Sequence, residues 1–374
     1  MEAMWWLGWS ASALCADEIV DATVPVVLSI NEVVAMGGAG IGFARGASGL
    51  LANPAAPVVR RLEDDPKTGL NVALNYSRTT NDLLNIGSEY EKESRLLNLG
   101  ATSYVGRLGG GAMISGLRVF DGGDNRIQYV DGSAAVAGLT RDGVGAVGVG
   151  PRFLWVELQS GDARERFLSV GAQGGVAFDD PDTGWNVGLT LRSSVRAEPT
   201  SGLFDIGALV LPWQIGLGVA WVSPAVRTRD TDGLRFRTAA DMVVFGPAPD
   251  DSVALAPLLF GDLIETTQTL RYSPRVGVEA EVLPDRLRLR AGGYREPPRV
   301  ASQAPRLHAT GGAELNIIRV QFKRLLDDDL TLETAFDAAE RYWRLGVSIG
   351  FWHSGIVGGQ VPEEPGPASP IEPR

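Results

Sequence analysis

The sequence predicts an all-β protein, a closed antiparallel transmembrane β-barrel of about fourteen strands. Three observations carry this. Apolar and polar residues alternate with period two through most of the chain. No run of about 18 apolar residues is available for a membrane helix. The polar half of the alternation includes charges that a dry core cannot hold.

At 374 residues with 44% apolar and 21% charged content, the chain suffices for two ordinary domains or one large barrel, and is too apolar for disorder. Its 47 glycines are about 13% of the total, against a usual ~7%, without the Gly-X-Y period of collagen. Lysine occurs only at Lys67, Lys92 and Lys323, and the formal charge is −11, so a nucleic-acid partner is not expected. Cys15 is the only cysteine, and His308 and His353 are the only histidines. Those counts exclude disulfide frameworks, zinc ribbons and His-rich metal sites, and no metal or cofactor is expected.

The first element is an export signal. Met4 to Leu14 is an apolar run with small residues after it, and cleavage after Ala16, or after Ala13, gives a signal peptide over 1–16. The usual basic n-region is missing, Glu2 being the only charge before the run, which leaves the true start open; a short buried helix is the alternative. Lipidation of Cys15 is not expected, because a small residue should precede it and Leu14 does.

The strands follow. Along Trp185 to Arg192 every odd residue is large and apolar and every even one polar or glycine. The same holds for Trp213, Ile215, Leu217, Val219 and Trp221, for Leu287, Leu289 and Ala291 between arginines, and for Trp343, Leu345, Val347, Ile349 and Phe351. Helical spacing would scatter these sets around a cylinder. The segments fall at 69–78, 94–105, 110–120, 126–139, 144–158, 166–178, 185–194, 213–222, 234–245, 268–283, 286–294, 306–318, 328–337 and 343–352. Short turns at 106–108, 140–143, 179–184 and 283–285 alternate with longer connections near 79–93, 195–212, 246–267 and 295–305. An even strand number, with short periplasmic turns and long extracellular loops, is the plan of a Gram-negative outer-membrane, porin-like barrel.

A soluble β-sandwich or propeller is the rival. A soluble closed barrel would put Glu279, Glu281, Arg286, Arg288, Arg290, Glu314, Glu333 and Asp337 into a dry interior, which a plugged or watery lumen avoids. Trp155, Trp185, Trp213, Trp221, Trp343 and Trp352 fall in the expected strands, most near their ends, where interfacial aromatic girdles sit.

Residues 35–60 read Ala-Met-Gly-Gly-Ala-Gly-Ile-Gly-Phe-Ala-Arg-Gly-Ala-Ser-Gly-Leu-Leu-Ala-Asn-Pro-Ala-Ala-Pro-Val-Val-Arg. This resembles the N-terminal plug of the FadL/TodX family of outer-membrane transporters for long-chain fatty acids and other hydrophobic compounds. The matching positions are Gly37, Gly38, Ala39, then Asn53, Pro54, Ala55. The stretches Leu211 to Ala220 and Leu287 to Tyr294, with Pro297-Pro298, look similar too. The resemblance implies a fourteen-stranded barrel with a small hatch in the lumen, an apolar groove on extracellular loops, and lateral exit through the wall. It makes Gly37, Gly38, Ala39, Gly40, Asn53, Pro54 and Ala55 the expected plug and gate. Two loops have the apolar character for substrate binding: Leu203, Phe204, Ile206, Leu209, Val210 and Leu211 in one, Val253, Leu255, Leu258, Leu259 and Phe260 in the other. An exposed apolar patch usually marks a binding surface, although two such loops could equally cover each other.

The expected organisation is a signal peptide over 1–16, a plug over 17–66, a barrel over 67–352 and a Pro-rich, disordered periplasmic tail over 353–374. Phe351 or Trp352 would be the terminal aromatic of the last strand. The expected partners are hydrophobic small molecules such as long-chain fatty acids, lipid of the cell outer membrane, and the barrel-assembly machinery.

Enzymatic readings find little support. Gly143 to Gly148 matches Gly-x-Gly-x-x-Gly, yet a strand-like segment follows, so no helix N-terminus awaits a pyrophosphate. A lipid hydrolase would need His308 beside a serine, whereas alternation places it facing the lumen. The acidic runs Asp179-Asp180-Pro181-Asp182 and Asp327-Asp328-Asp329 are read as solvated turns rather than calcium sites. The expected function is passive transport, with a non-transporting scaffold or secretion partner as the alternative.

Overall fold

The computed structural model describes residues 18–24, 27–43, 45–59, 68–80, 93–120, 124–201, 206–223, 235–255, 264–284, 286–300, 303–322 and 326–354. A short strand, β1 (Glu18–Asp21), precedes two single-turn helices, α1 (Asn31–Ala35) and α2 (Gly46–Gly49), and a 3-10 turn at Ala56–Val58. Then come β2 (Thr68–Thr80), β3 (Glu93–Val105), β4 (Leu108–Phe120), β5 (Asn125–Leu139), β6 (Gly145–Ser160), β7 (Ala163–Asp179) and β8 (Trp185–Arg192). Next are β9 (Val195–Ala197), β10 (Ile206–Leu211), β11 (Gln214–Val222), β12 (Phe236–Phe245) and β13 (Val253–Ala254). The last are β14 (Arg271–Leu283), β15 (Leu287–Glu296), β16 (Arg306–Phe322), β17 (Leu326–Ala339) and β18 (Tyr342–Ser354).

Fourteen of these strands, all except β1, β9, β10 and β13, form a closed antiparallel barrel sealed by β18 on β2, from Trp343 against Thr80 to Ser354 against Gly69. All fourteen overlap segments expected from alternation. Closure leaves no strand edge, as backbone in hydrocarbon requires. The alternation sorts side chains as expected: on β3, Leu97 and Leu99 are 51% and 53% exposed on the outer wall, while Leu96 and Asn98 are buried inside. An outer wall of Leu, Val, Ile and Phe is stable against lipid and would be a liability in water.

Both ends of the barrel sequence, Thr68 and Ser354, lie at the end carrying the turns 106–107, 140–144, 180–184 and 284–286. The connections 81–92, 193–213, 246–270 and 297–305 leave the other end, hereafter the loop end. Short hairpins occur there too, at 161–162 and 340–341, so the contrast between ends is weaker than expected.

Two of the long loops are not plain loops. β10 and β13 flank β1 in parallel, and β9 pairs antiparallel with β10, giving a four-stranded cap of order β13-β1-β10-β9. β1, β9 and β13 are too short, and β10 too uniformly apolar, for period two to reveal them. Glu18–Asp21, assigned from sequence to the plug, is thus a strand of the cap. The chain descends from it into the lumen, where residues 30–59 pack against the inner wall of the turn-end half.

The excess glycine is explained here. Inward-facing Gly109, Gly148, Gly175, Gly188, Gly218, Gly277, Gly292, Gly312 and Gly346 form a girdle on which the plug rests. A Cβ on Gly148 would sit 2.1 Å from the Pro54 carbonyl oxygen, one on Gly188 2.1 Å from that of Ile41, and one on Gly277 2.4 Å from that of Met36. Only a bare backbone allows this approach.

Three expectations need correction. Asp327–Asp329 lie within β17, paired with Gln321, Val320 and Arg319, rather than in a turn. Trp352 is 8% exposed and points inward over Gly46, so it does not join the outer girdle, whereas Trp185 and Trp343 are outward and about half exposed at 52% and 49%. Trp213 falls in the connection between β10 and β11 rather than in a strand. The signal segment 1–16, Cys15 and the tail from 355 onward lie outside the described residues.

Candidate functional site in the barrel lumen

The lumen is divided into a cap at the loop end, a cavity beneath it, the plug, and a polar vestibule at the turn end.

The plug is held by wall side chains that meet its backbone. Asp241 on β12 accepts the N–H groups of Gly40 at 2.7 Å and Ile41 at 2.9 Å. Thr310 on β16 accepts from Gly37 N–H at 3.0 Å and donates to Ala35 O at 3.1 Å. Asn71 on β2 accepts from Ala47 N–H at 2.7 Å. Gly37 and Gly38 adopt φ of 65° and 73°, the left-handed turn ending α1 that a side chain would resist. Ala39 is buried against Met36, Phe43, Ala220 and Ala239. Asn53 donates to Ile41 O and Val176 O at 3.2 and 2.9 Å and accepts from Ala55 N–H at 3.0 Å, fixing the turn that presses Pro54 onto Gly148. Ala55 packs with Val58, Tyr104, Ala137, Ala146 and Ala177. The residues named from the resemblance are thus brought together in the lumen.

On the turn side of the plug, Glu32 of α1 reaches Arg237 at 3.5 Å and Arg290 at 3.8 Å. Arg290 also pairs with Glu279 at 2.7 Å and with Glu314, and Arg288 with Glu314 at 2.8 Å and Glu281 at 3.6 Å. This network lines a vestibule of about 220 Å³ with Asn71, Asn186 and Thr331. Of the charges expected in the lumen, Glu279, Glu281, Arg288 and Glu333 line the vestibule and Arg290 and Glu314 join them through ion pairs; Asp337 lies elsewhere and Arg286 sits in the turn before β15.

On the loop side lies a cavity of about 110 Å³, several times the space one water needs. Val24, Val27, Leu28, Val33, Ile41, Leu51, Leu211, Val243 and Phe245 give it apolar walls. Three guanidinium groups enter it. Arg152 on β6 is paired bidentately with Asp131 of β5 at 3.0 and 2.6 Å. Arg192 donates to Gln214 Oε1 at 3.4 Å and to the Leu51 carbonyl, and Arg275 to Ser273 Oγ and the Gly38 carbonyl at 3.3 and 3.2 Å. Neither Arg192 nor Arg275 has a carboxylate within ion-pair distance among the described residues, and Arg192 Nε and Arg152 Nη1 are buried without an acceptor. Two half-buried cations thus face a cavity with both apolar and polar walls, Tyr129, Asp131, Thr190 and Gln214 among the latter, and Arg192 keeps one donor unused.

The cap closes this cavity. Ile206, Leu209, Leu211 and Leu255 are 4%, 0%, 1% and 4% exposed, packed with Val20, Val195, Phe167 and Val253. The expected open apolar patch is therefore not seen at these four: the loops cover each other, and of the four only Leu211 lines the cavity. Leu203, Phe204, Leu258, Leu259 and Phe260 lie outside the described residues. Asp21 anchors β1 to Arg271 at 3.1 Å, and Arg299 Nη2 donates to Asp21 O at 2.9 Å. Burial pulls the Arg299 guanidinium below its ordinary value, opposed by the Asp21 carboxylate.

His308 faces inward as alternation predicted, near the loop end. Its Nε2 lies 2.8 Å from Glu296 and its Nδ1 2.7 Å from Asp337, it stacks on Tyr294 at 4.1 Å, and Arg306 closes the cluster on Glu296 at 2.7 Å. Both ring nitrogens are engaged by carboxylates, which leaves none to activate a serine. The Gly143–Gly148 run likewise turns at Gly143, φ 76°, into β6 and provides no helix N-terminus.

Sequence reasoning missed Asp241, Arg192, Arg275, Thr310 and Asn71. Each is one of two or more polar residues on the inward parity of its strand. That parity was legible, but which inward polar residues meet the plug depends on barrel shear, which the sequence does not state.

No family model and no curated sequence matches the chain. Solved structures do. The chain is similar to the CymD monoaromatic hydrocarbon channel at 12% identity and a TM-score of 0.55, over 88% of this chain and 98% of that one. It is similar to a Pseudomonas aeruginosa FadL homologue at 13% and 0.54, over 88% and 99%. The Pseudomonas putida toluene transporter TodX matches at 12% and 0.51, over 90% and 100%. At these identities the likeness shows the fold alone: a fourteen-stranded barrel with an N-terminal segment in its lumen, the architecture that the Gly37–Ala39 and Asn53–Ala55 resemblance implied.

Proposed function

We propose that this chain is a passive outer-membrane channel for hydrophobic small molecules bearing an acidic headgroup, long-chain fatty acids being the representative class. The observation that carries this is the cavity between cap and plug, walled in part by apolar side chains, with Arg192 and Arg275 facing it and no carboxylate within ion-pair distance of either among the described residues. A half-buried cation without a counter-ion is costly, and a ligand carboxylate supplies the missing charge through short, bidentate hydrogen bonds. A neutral hydrocarbon, the cargo in the titles of the TodX and CymD structures, would fill the walls and leave both guanidinium groups unpaired.

In this reading Leu203, Phe204, Leu258, Leu259 and Phe260 capture the molecule at the loop end, and Ile206, Leu209, Leu211 and Leu255 yield to admit it. Its headgroup reaches Arg192 and Arg275, and the turns at Gly37–Gly40 and Asn53–Ala55 then shift to open a route past the plug. Residues 1–16 direct export, and the barrel-assembly machinery inserts the chain. The test is binding of dodecanoate against dodecane by purified protein: the acid should bind more tightly by at least the tenfold that one ionic hydrogen bond provides. Equal affinity would remove the headgroup from the reading.

A further inference from the structure

The outer wall near the loop end carries a row of charge that the channel reading does not use. Arg78 of β2 lies directly opposite Arg95 of β3, and Arg95 directly opposite Arg118 of β4. All three belong to the outward parity of their strands. Arg78 and Arg95 are 57% and 54% exposed, and Arg118 is exposed. At the same height the register continues through Gln128 and Glu157 to Arg166. The next outward row toward the turn end is Tyr76, Leu97, Gly116, Val130, Trp155 and Leu168. An arginine row thus borders an apolar row carrying tyrosine and tryptophan, the level where lipid headgroups meet acyl chains.

Like charges directly opposite across a ladder repel. Glu93 relieves part of this by accepting from Arg78 at 2.9 Å and Arg95 at 2.8 Å. Arg118 has no ion pair among the described residues. In a chain of net charge −11, three guanidinium groups in register on a lipid-facing wall are not a product of composition. Adjacent strands lie ~4.8 Å apart, so neighbouring guanidinium forks can converge on one tetrahedral anion. Phosphate is the anion an arginine fork fits at a membrane surface.

We propose that Arg78, Arg95 and Arg118 bind the phosphate of an anionic lipid in the leaflet at the loop end, a lipid tied to this sector of the wall. The inference rests on the membrane placement above but not on transport, and its test needs no cargo. Purified protein in neutral detergent is titrated with diphosphoryl lipid A and with its dephosphorylated form, and adducts are counted by native mass spectrometry. The unaltered protein should hold the phosphorylated lipid at least tenfold more tightly. The Arg78→Gln/Arg95→Gln/Arg118→Gln variant should lose that preference, while Arg295→Gln, on the far side of the barrel, keeps it. Equal retention of both lipids, or an unchanged preference in the triple variant, overturns the proposal. Displacement by excess inorganic phosphate alone would make it a free-anion site and overturns the lipid assignment. Should the triple variant fail to fold, judged by heat-dependent gel mobility, the comparison of the two lipids on the unaltered protein decides.

Discussion

Asp241 and Gly40 are the closest polar contact between the β12 wall and the plug: one carboxylate oxygen accepts the Gly40 N–H at 2.7 Å and also the Ile41 N–H at 2.9 Å. Hydrogen bonds to an ionised acceptor are each worth roughly 1.5–3 kcal/mol, and a buried N–H left without one costs about 1–3 kcal/mol. Asp241→Ala should therefore loosen the plug while sparing a barrel whose strands are paired along both edges. The expected result is higher ion conductance in planar bilayers with an unchanged heat-dependent gel shift.

The glycine girdle makes a steric prediction. Gly148→Val and Gly277→Val place branched carbons where the Pro54 and Met36 carbonyls lie 2.1 and 2.4 Å from a mere Cβ. Plug backbone has to give way, so both variants should leak small hydrophilic solutes into cells. Gly116→Ala, where the nearest atom is 3.9 Å away, should behave as the parent chain. Antibiotic sensitivity of expressing cells reads all three.

Arg192 and Arg275 predict a ligand-linked stability. A bound molecule stabilises by RT ln(1 + [L]/Kd), so saturating dodecanoate should raise the thermal midpoint of the unaltered protein by several degrees. Arg192→Gln/Arg275→Gln should abolish that increment. A dodecanoate increment that survives in the double variant would place the headgroup elsewhere.

His308 is wedged between Glu296 and Asp337 at 2.8 and 2.7 Å with its side chain fully buried. Removing one partner from a buried charge cluster costs about 3–5 kcal/mol. His308→Ala should accordingly lower the urea midpoint in detergent markedly. Esterase activity should be nil in both forms.

The strands were legible because a wall with lipid outside and polar lumen inside forces period two at nearly every position, from Leu70 on β2 to Phe351 on β18. The plug was legible only through the resemblance of Gly37–Ala39 and Asn53–Ala55 to the FadL/TodX plug, since glycine is abundant throughout this chain. The cap was not: Val195–Ala197, Ile206–Leu211 and Val253–Ala254 are short segments, the last two apolar throughout, and the pairing of β1 with β10 and β13 joins segments far apart in the chain. The same apolarity that read as a capture surface is buried once β1 inserts between β10 and β13. The cavity arginines were hidden for a related reason, since parity turns Arg192 inward but only the plug's position decides that it faces Leu51.

The most direct measurement is uptake of labelled long-chain fatty acid by cells that lack their own outer-membrane fatty-acid channel and express this chain. Uptake several-fold above the empty vector, falling toward it in Arg192→Gln/Arg275→Gln, is the predicted result. Uptake no greater than the vector, with the folded barrel detected in the outer membrane, would contradict it.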